Sequence, residues 1–387
     1  MIPAHLLDGK STQDRNEGSP TDYAAQNGTF KVVFLGTGVS TAMPNLGHIL
    51  ADSCDVCRDA NTKPGSKNKR SNVSIAIIFK AESLSDSDMC SAIKEKCVLI
   101  DVGKTMREAC LSILPRHGIK EVAGIVLTHG HADAILGLDD VRDLQISKAI
   151  TISNPAVAAA SLACQCCIQQ SDGNRDAETV TCNLCTTTQI ETLDVTVTGF
   201  KVISGAMPIY LHRETMDVVE RTFAYLTQSP DYLDENTSLL SRRIALLKFT
   251  VIEQDDYFSV CGLPMRSFPV YHGGKYVSLG FSIGKEGEFV YISDVKIIPE
   301  STMAYLKGIP RIKTLVVDAL SRDGVWSHMG IEEALSLVQT LQPDVAYFTG
   351  MCCQMGLHAD VEAELLSRAP HTHLAYDGLE LSGYHIC

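Results

Sequence analysis

The 387-residue chain has no run of about eighteen uninterrupted apolar residues, so no membrane-spanning helix is expected. Its first residues, Met1-Ile2-Pro3-Ala4-His5-Leu6-Leu7-Asp8, lack a basic segment followed by a long apolar one, so no secretory signal is expected. Positive charge is in deficit: the net charge of −13 argues against a general nucleic-acid-binding surface, leaving room only for a local basic patch. The Gly36-Thr37-Gly38 turn fits neither Gly-x-x-x-x-Gly-Lys nor Gly-x-Gly-x-x-Gly, which sets aside both common phosphate loops. There is also no fixed-period repeat. What is present is 45% apolar and 20% charged residues, the balance of a globular protein with a real core in one large domain or two small ones.

Cysteine is plentiful, at fourteen residues, but its arrangement argues against a disulfide framework. The chain is large, shows no signal and groups many of its cysteines in Cys-x-x-Cys pairs, which suits thiolate metal sites in a reducing, cytoplasmic setting. Cys90, Cys97, Cys110, Cys261 and Cys387 stand alone and read as ordinary buried or surface thiols.

Residues 1–28 are polar and aperiodic and read as a disordered leader. Strands are expected at Phe30–Leu35, Ser74–Lys80, Lys96–Asp101 and Val122–Leu127, with Ser83–Asp88 a polar connection and Lys63–Asn72 a basic, polar loop. Helices are expected at Thr105–Ile113 and Gly137–Leu144. A Cys-rich segment at about 149–206 reads as an insertion. Beyond it come a strand at Pro208–Leu211 and a helix near Glu214–Leu226. Strands follow near Ala245–Ile252, Met265–His272, Val277–Ile283 and Phe289–Ser293. The chain then alternates strand and helix at Thr314–Val317, Gly330–Leu341, Val345–Thr349 and His358–Ser367, with a last strand in Leu374–Leu381. The pattern predicts a layered α/β protein with helices outside two sheets.

The chemistry concentrates at strand ends. Thr128-His129-Gly130-His131-Ala132-Asp133-Ala134 follows an apolar run, and its imidazoles and carboxylate suit a borderline divalent metal such as zinc. Taken alone, the segment is also readable as a polar strand-to-helix turn. His272 and Asp294 each end an apolar strand in the same manner, and four such residues in matching positions argue for one shared site.

Leu35-Gly36-Thr37-Gly38, Ile100-Asp101-Val102-Gly103, the His-x-His-x-Asp motif, His272 and Asp294, in that order, resemble the metallo-β-lactamase fold. Cys54-x-x-Cys57, Leu136-Gly137-Leu138-Asp139-Asp140-Val141-Arg142 and Tyr376-Asp377-Gly378 resemble the branch of the phosphoribosyl cyclic phosphate phosphodiesterases and ribonuclease Z-like nucleases. The resemblance implies one αββα sandwich over residues 29–387 with metal between the sheets. It implies His129, His131 and His272 as ligands of a first metal, Asp294 as a further ligand and Asp133 as part of a second position. Here the sequence departs from the pattern: Ala134 and Gly350 stand where the resemblance expects histidines. One firmly held ion, zinc or the harder manganese, is therefore expected, either alone or with a weakly held second ion. Asp133 is then free to handle water, and His328 matches a position beside the leaving group as general acid or phosphate contact. Lys104 and Arg142 are candidates to neutralise an anionic substrate, although solvated surface roles suit them equally.

The same resemblance implies a structural zinc on the early Cys pair, here completed by Cys353 and by His48 or Asp52, with His358 a spare candidate; a His48, Cys54, Cys57 and Cys353 set is coherent. In the insertion, Cys164-x-x-Cys167 and Cys182-x-x-Cys185 are separated by fourteen residues, a zinc-ribbon-like spacing that suggests a second structural zinc or a Cys-rich loop. The expected function is a metal-dependent hydrolase, foremost a phosphodiesterase acting on a small cyclic or nucleotide-like phosphate through metal-activated water. The alternatives are a catalytically weak metal-binding scaffold, or a thioester or other ester hydrolase of the same fold. The expected partner is a small phosphate ester rather than a membrane, and a homodimer is left open.

Overall fold

A computed structural model describes residues 28–81, 94–152, 197–202, 206–227 and 245–386. The leader, Ser83–Asp88 and the cysteines at 164, 167, 182 and 185 lie outside the described residues, and so does the ribbon-like zinc site expected there. Among the described residues no helix is long and apolar enough to cross a membrane.

The apolar runs of the first half form strands whose two faces are both buried, which is why they read as near-continuous hydrophobic segments. In β1 (Thr29–Gly36), Val32 and Phe34 face one core while Val33 and Leu35 face another. In β2 (Ser74–Ala81), Ile75, Ile77 and Phe79 alternate with Ala76 and Ile78 in the same way. β3 (Lys94–Ile100), β4 (Gly124–Val126), β7 (Met207–His212) and β8 (Leu247–Ile252) continue this sheet. The second sheet comprises β9 (Tyr257–Val260), β10 (Leu263–Tyr271), β11 (Val277–Ile283), β12 (Phe289–Ile292), β13 (Thr314–Asp318), β14 (Val345–Thr349) and β15 (Thr372–Leu374). With β16 (Glu380–His385) added to the first sheet, the sheet orders are β16-β1-β2-β3-β4-β7-β8 and β15-β14-β13-β12-β11-β10-β9.

Three cores separate four layers. One packs the first sheet on the Met106–Ile113 helix through Met106, Ala109 and Ile113. The middle core fills the space between sheets with Phe34, Ile75, Phe281 and Tyr291. The third packs the second sheet on the Ile331–Leu341 and His358–Arg368 helices through Leu335, Val361 and Leu365. The result is the expected αββα sandwich, with helices covering both outer faces.

The expected last strand in Leu374–Leu381 is two strands. β15 closes the second sheet; the chain then crosses at Tyr376-Asp377-Gly378, and β16 (Glu380–His385) pairs antiparallel with β1 in the first sheet. Gly378, at φ +91°, makes the turn that a continuous strand would not need. The two ends of the expected insertion form a separate antiparallel ribbon of β5 (Ile146–Ile152) and β6 (Val197–Val202).

Candidate metal centre

The sandwich brings the strand-end residues of both sheets to one place. His129 and His131 leave β4, His272 leaves β10 and Asp294 leaves β12. One nitrogen each of His129, His131 and His272 lie within 4.8 Å of one another. The same spacing holds for donor atoms of His129, Asp133 and Asp294, and of His272, Asp294 and His328.

Hydrogen bonds decide which nitrogen each ring offers. Thr128 Oγ1–H donates to Asp101 Oδ2 (2.8 Å), so it accepts from His129 Nδ1–H (2.8 Å). His129 Nε2 is then left with its lone pair, buried and without a hydrogen-bond partner. His272 Nδ1 lies 2.9 Å from the Ser327 carbonyl, which only accepts, so that nitrogen carries the proton and Nε2 is free, 4.0 Å from Asp294 Oδ1. His131 stacks flat on Tyr276, with ring centres 4.6 Å apart and planes 3° apart, while Tyr276 Oη accepts from Gly130 N–H.

Burial keeps the imidazoles neutral: it pushes His129 down to about 3 and lowers His131 and His272. Asp294 is the opposite case: burial raises its carboxyl, but the imidazoles around it, with His328 the charged one, outweigh that and lower it. Neutral imidazoles with a free nitrogen beside an ionised carboxylate are the donor set zinc prefers, so the residues fit such an ion. Burial first, and then Asp294, pushes Asp133 up to about 6, with His328 and the exposed Lys104 acting the other way. Arg142 is ion-paired with Asp139 at 3.1 Å.

His328 has a partner the sequence reading missed. Its Nδ1–H donates to Asp318 Oδ2 (2.7 Å) at the end of β13, and the fully buried Asp318 also accepts from Val295 N–H. Burial works against the charge of His328, but Asp318 and then Asp294 raise it to about 9. The signal for Asp318 was there: it ends an apolar strand as Asp294 does. Asp101, held at φ +64° beneath Thr128, likewise closes an apolar strand, whereas Tyr276 gave no comparable signal of its role.

The two departures from the expected histidines have physical reasons. Ala134 is 1% exposed and faces the outer core. A Cβ on Gly350, at φ +73°, would fall 2.4 Å from Asp318 Oδ1, so no side chain fits there while Asp318 holds His328.

A second cluster is held on three short helical segments, Leu46–Leu50, Asp55–Thr62 with Cys54 at its start, and Cys353–Met355. Donor atoms of His48, Cys54, Cys57 and Cys353 fall within 4.8 Å of one another, with His48 Nδ1 3.5 Å from Cys57 Sγ and 3.3 Å from Cys353 Sγ. Asp52 instead pairs with Arg58, and His358 lies against Arg70, so neither belongs to this donor set. Three thiols and an imidazole also suit zinc. Lys63–Asn72 is a loop, but Arg70 within it is buried: it donates to Thr37 Oγ1 and to the Ala375 carbonyl. Asp377 accepts from Thr37 Oγ1–H and Ser71 N–H beside it, forming a seam between the rim loops and β1.

A β-lactamase superfamily domain matches this chain over residues 96–215 and 203–351. The chain belongs to that superfamily. Among solved structures it is similar to a diphosphatase from the PhnP family, at 23% identity over 93% of this chain and 98% of that one, with a TM-score of 0.60. It is also similar to zinc-bound PqqB from Methylobacterium extorquens, at 14% identity over 91% of this chain and 99% of that one, with a TM-score of 0.55. These likenesses show the metallo-β-lactamase fold. A curated relative, an octanoyltransferase of Porphyromonas gingivalis, is 22% identical over 351 residues. That match takes in 90% of this chain, but the chain spans about half (51%) of the relative's length.

Proposed function

We propose that the chain is a metal-dependent hydrolase that cleaves a small cyclic or nucleotide-like phosphodiester. The observation that carries this reading is the convergence of three neutral imidazoles, with Asp294 beside His129 and His272 and the His328–Asp318 pair alongside. His129, His131 and His272, with Asp294, would hold one zinc. That ion supplies a Lewis acid that lowers the pKa of a water and polarises a phosphoryl oxygen. Asp133, beside Asp294 and His129, accepts the proton of the attacking water. His328, kept charged by Asp318, contacts the phosphate and gives its proton to the leaving oxygen. Lys104 sits on the exposed side and favours an anionic substrate. The His48, Cys54, Cys57 and Cys353 set would hold a structural zinc. The likeness to the PhnP-family diphosphatase supports phosphate chemistry.

The test is metal content of the purified chain together with turnover of bis-p-nitrophenyl phosphate. Turnover that collapses in His131→Ala is expected. Bound metal without turnover, or turnover undiminished in His131→Ala, would falsify the reading. The octanoyltransferase likeness favours a second reading, an acyl thioester hydrolase of the same centre. An octanoyl thioester cleaved much faster than the phosphodiester would put that reading first.

A further inference from the structure

The single tryptophan of the chain stands at the mouth of the centre. Trp326 is 75% exposed, an unusual position for the largest apolar side chain. The loop that carries it is pinned on both sides. Ser321 and Gly330 bridge at its base, and Val325 N–H donates to the His328 carbonyl (3.0 Å). The Ser327 carbonyl accepts from His272. The indole is also seated: a Cβ on Gly273 would fall 2.5 Å from its Cζ3, and one on Gly274 would fall 3.3 Å from its Cζ2. The ring therefore rests on the two glycines that follow His272, while its remaining surface faces solvent. It is two residues from His328 and is held out by structure that also positions the candidate ligands.

We propose that Trp326 is a stacking platform for the planar base of a nucleotide-like substrate whose phosphate lies at the centre; this rests on the hydrolase reading above. An alkyl chain buries its surface only in a groove that encloses it on several sides. Here a single ring is presented, with Val325 as the exposed apolar neighbour in the same loop. A planar base makes its whole contact with one flat surface, and every base has a face that stacks on an indole. A sugar phosphate without a base gains nothing from it.

Because Trp326 is the only tryptophan, its fluorescence reports this surface alone. The full chain is titrated with adenosine 5′-monophosphate, ribose 5-phosphate and octanoate, exciting where adenine does not absorb. Saturable quenching by the nucleotide and none by ribose 5-phosphate is expected. Equal responses to the two phosphates, no response to the nucleotide, or a response to octanoate in its place each overturns the proposal. Equilibrium dialysis supplies the second measurement. Trp326→Ala weakens nucleotide binding about tenfold, Trp326→Phe retains most of it, and ribose 5-phosphate affinity stays the same in both. Equal nucleotide affinity in all three chains overturns the platform. Quenching without phosphodiester turnover would sink the hydrolase reading and leave the platform standing; turnover without quenching would do the reverse.

Discussion

The two metal-competent clusters are built on opposite plans. The His/Asp centre draws its donors from the ends of paired strands in both sheets, and hydrogen bonds orient its rings: Thr128 holds His129 and the Ser327 carbonyl holds His272. Its imidazoles are neutral, so they converge without mutual repulsion. The Cys/His cluster draws its donors from two short helical segments and the loop after β14. Burial, then the charges of Cys57 and Cys54, pushes Cys353 up to about 12. Cys57 is raised as well, first by burial, whereas hydrogen bonds within the cluster bring Cys54 down despite burial. Cys57 and Cys353 thus resist ionisation beside a Cys54 that favours it, and a cation taking all three thiolates would reverse that resistance. The first cluster is set by strand ends and ring hydrogen bonds; the second is set by short helical segments drawn from distant parts of the chain.

Three measurements press on that contrast, and the largest effect belongs to the strand-end centre. His129→Ala removes the buried, unpartnered Nε2 and is expected to cut phosphodiester turnover by on the order of a thousandfold, with the melting temperature changed little. A large fall in melting temperature instead would show that this centre, too, depends on its ion to fold. Cys57→Ser is expected to do the converse. It should lose one bound metal and lower the melting temperature, while kcat of the folded fraction stays near that of the wild type. Unchanged metal content and melting would reduce the cluster to ordinary thiols.

The smallest effect concerns the seam between the clusters. The loop carrying Cys353 is tied to β1 by Met351 N–H donating to the Thr37 carbonyl and Val39 N–H to the Met351 carbonyl. Beside it, burial pushes Asp377 up to about 6 from its ordinary 3.8, against its hydrogen bonds and Arg70. The folded chain therefore binds this proton more tightly than the unfolded one does. Stability from this group is complete below 3.8 and is lost as the pH rises through about 6. Asp377→Asn should flatten that part of the stability–pH curve, read by denaturant unfolding across the window; an unchanged slope would remove Asp377 from the account.

Much of this arrangement was legible because burial on both strand faces writes unbroken apolar runs, and a polar residue closing such a run marks a strand end near the site. His129, His131, His272 and Asp294 followed from that rule. The helix Glu300–Gly308 did not: Thr302 occupies a buried place, its hydroxyl donating to the Pro269 carbonyl, and blurs the apolar period. β9 was too short, at four residues, to stand out from the loop around it. Arg70 was hidden because a basic loop reads as solvated, and nothing local reveals that Thr37, Ala375 and His358 surround it. The last strands were merged because the crossing at Tyr376-Asp377-Gly378 is a long-range event, set by which sheet edge each half meets.

That crossing also sets the order in which the molecule can be assembled. Thr29 pairs with His385, so one edge of the first sheet stays open until residues near 385 have left the ribosome. Until then β1 has one side unpaired. Closing so wide a loop is entropically slow, and an uncovered β1 edge is a template for pairing with another chain. Cleavage within Tyr376-Asp377-Gly378 would leave the strand-end histidines in the chain, yet return the mature protein to that exposed, aggregation-prone state.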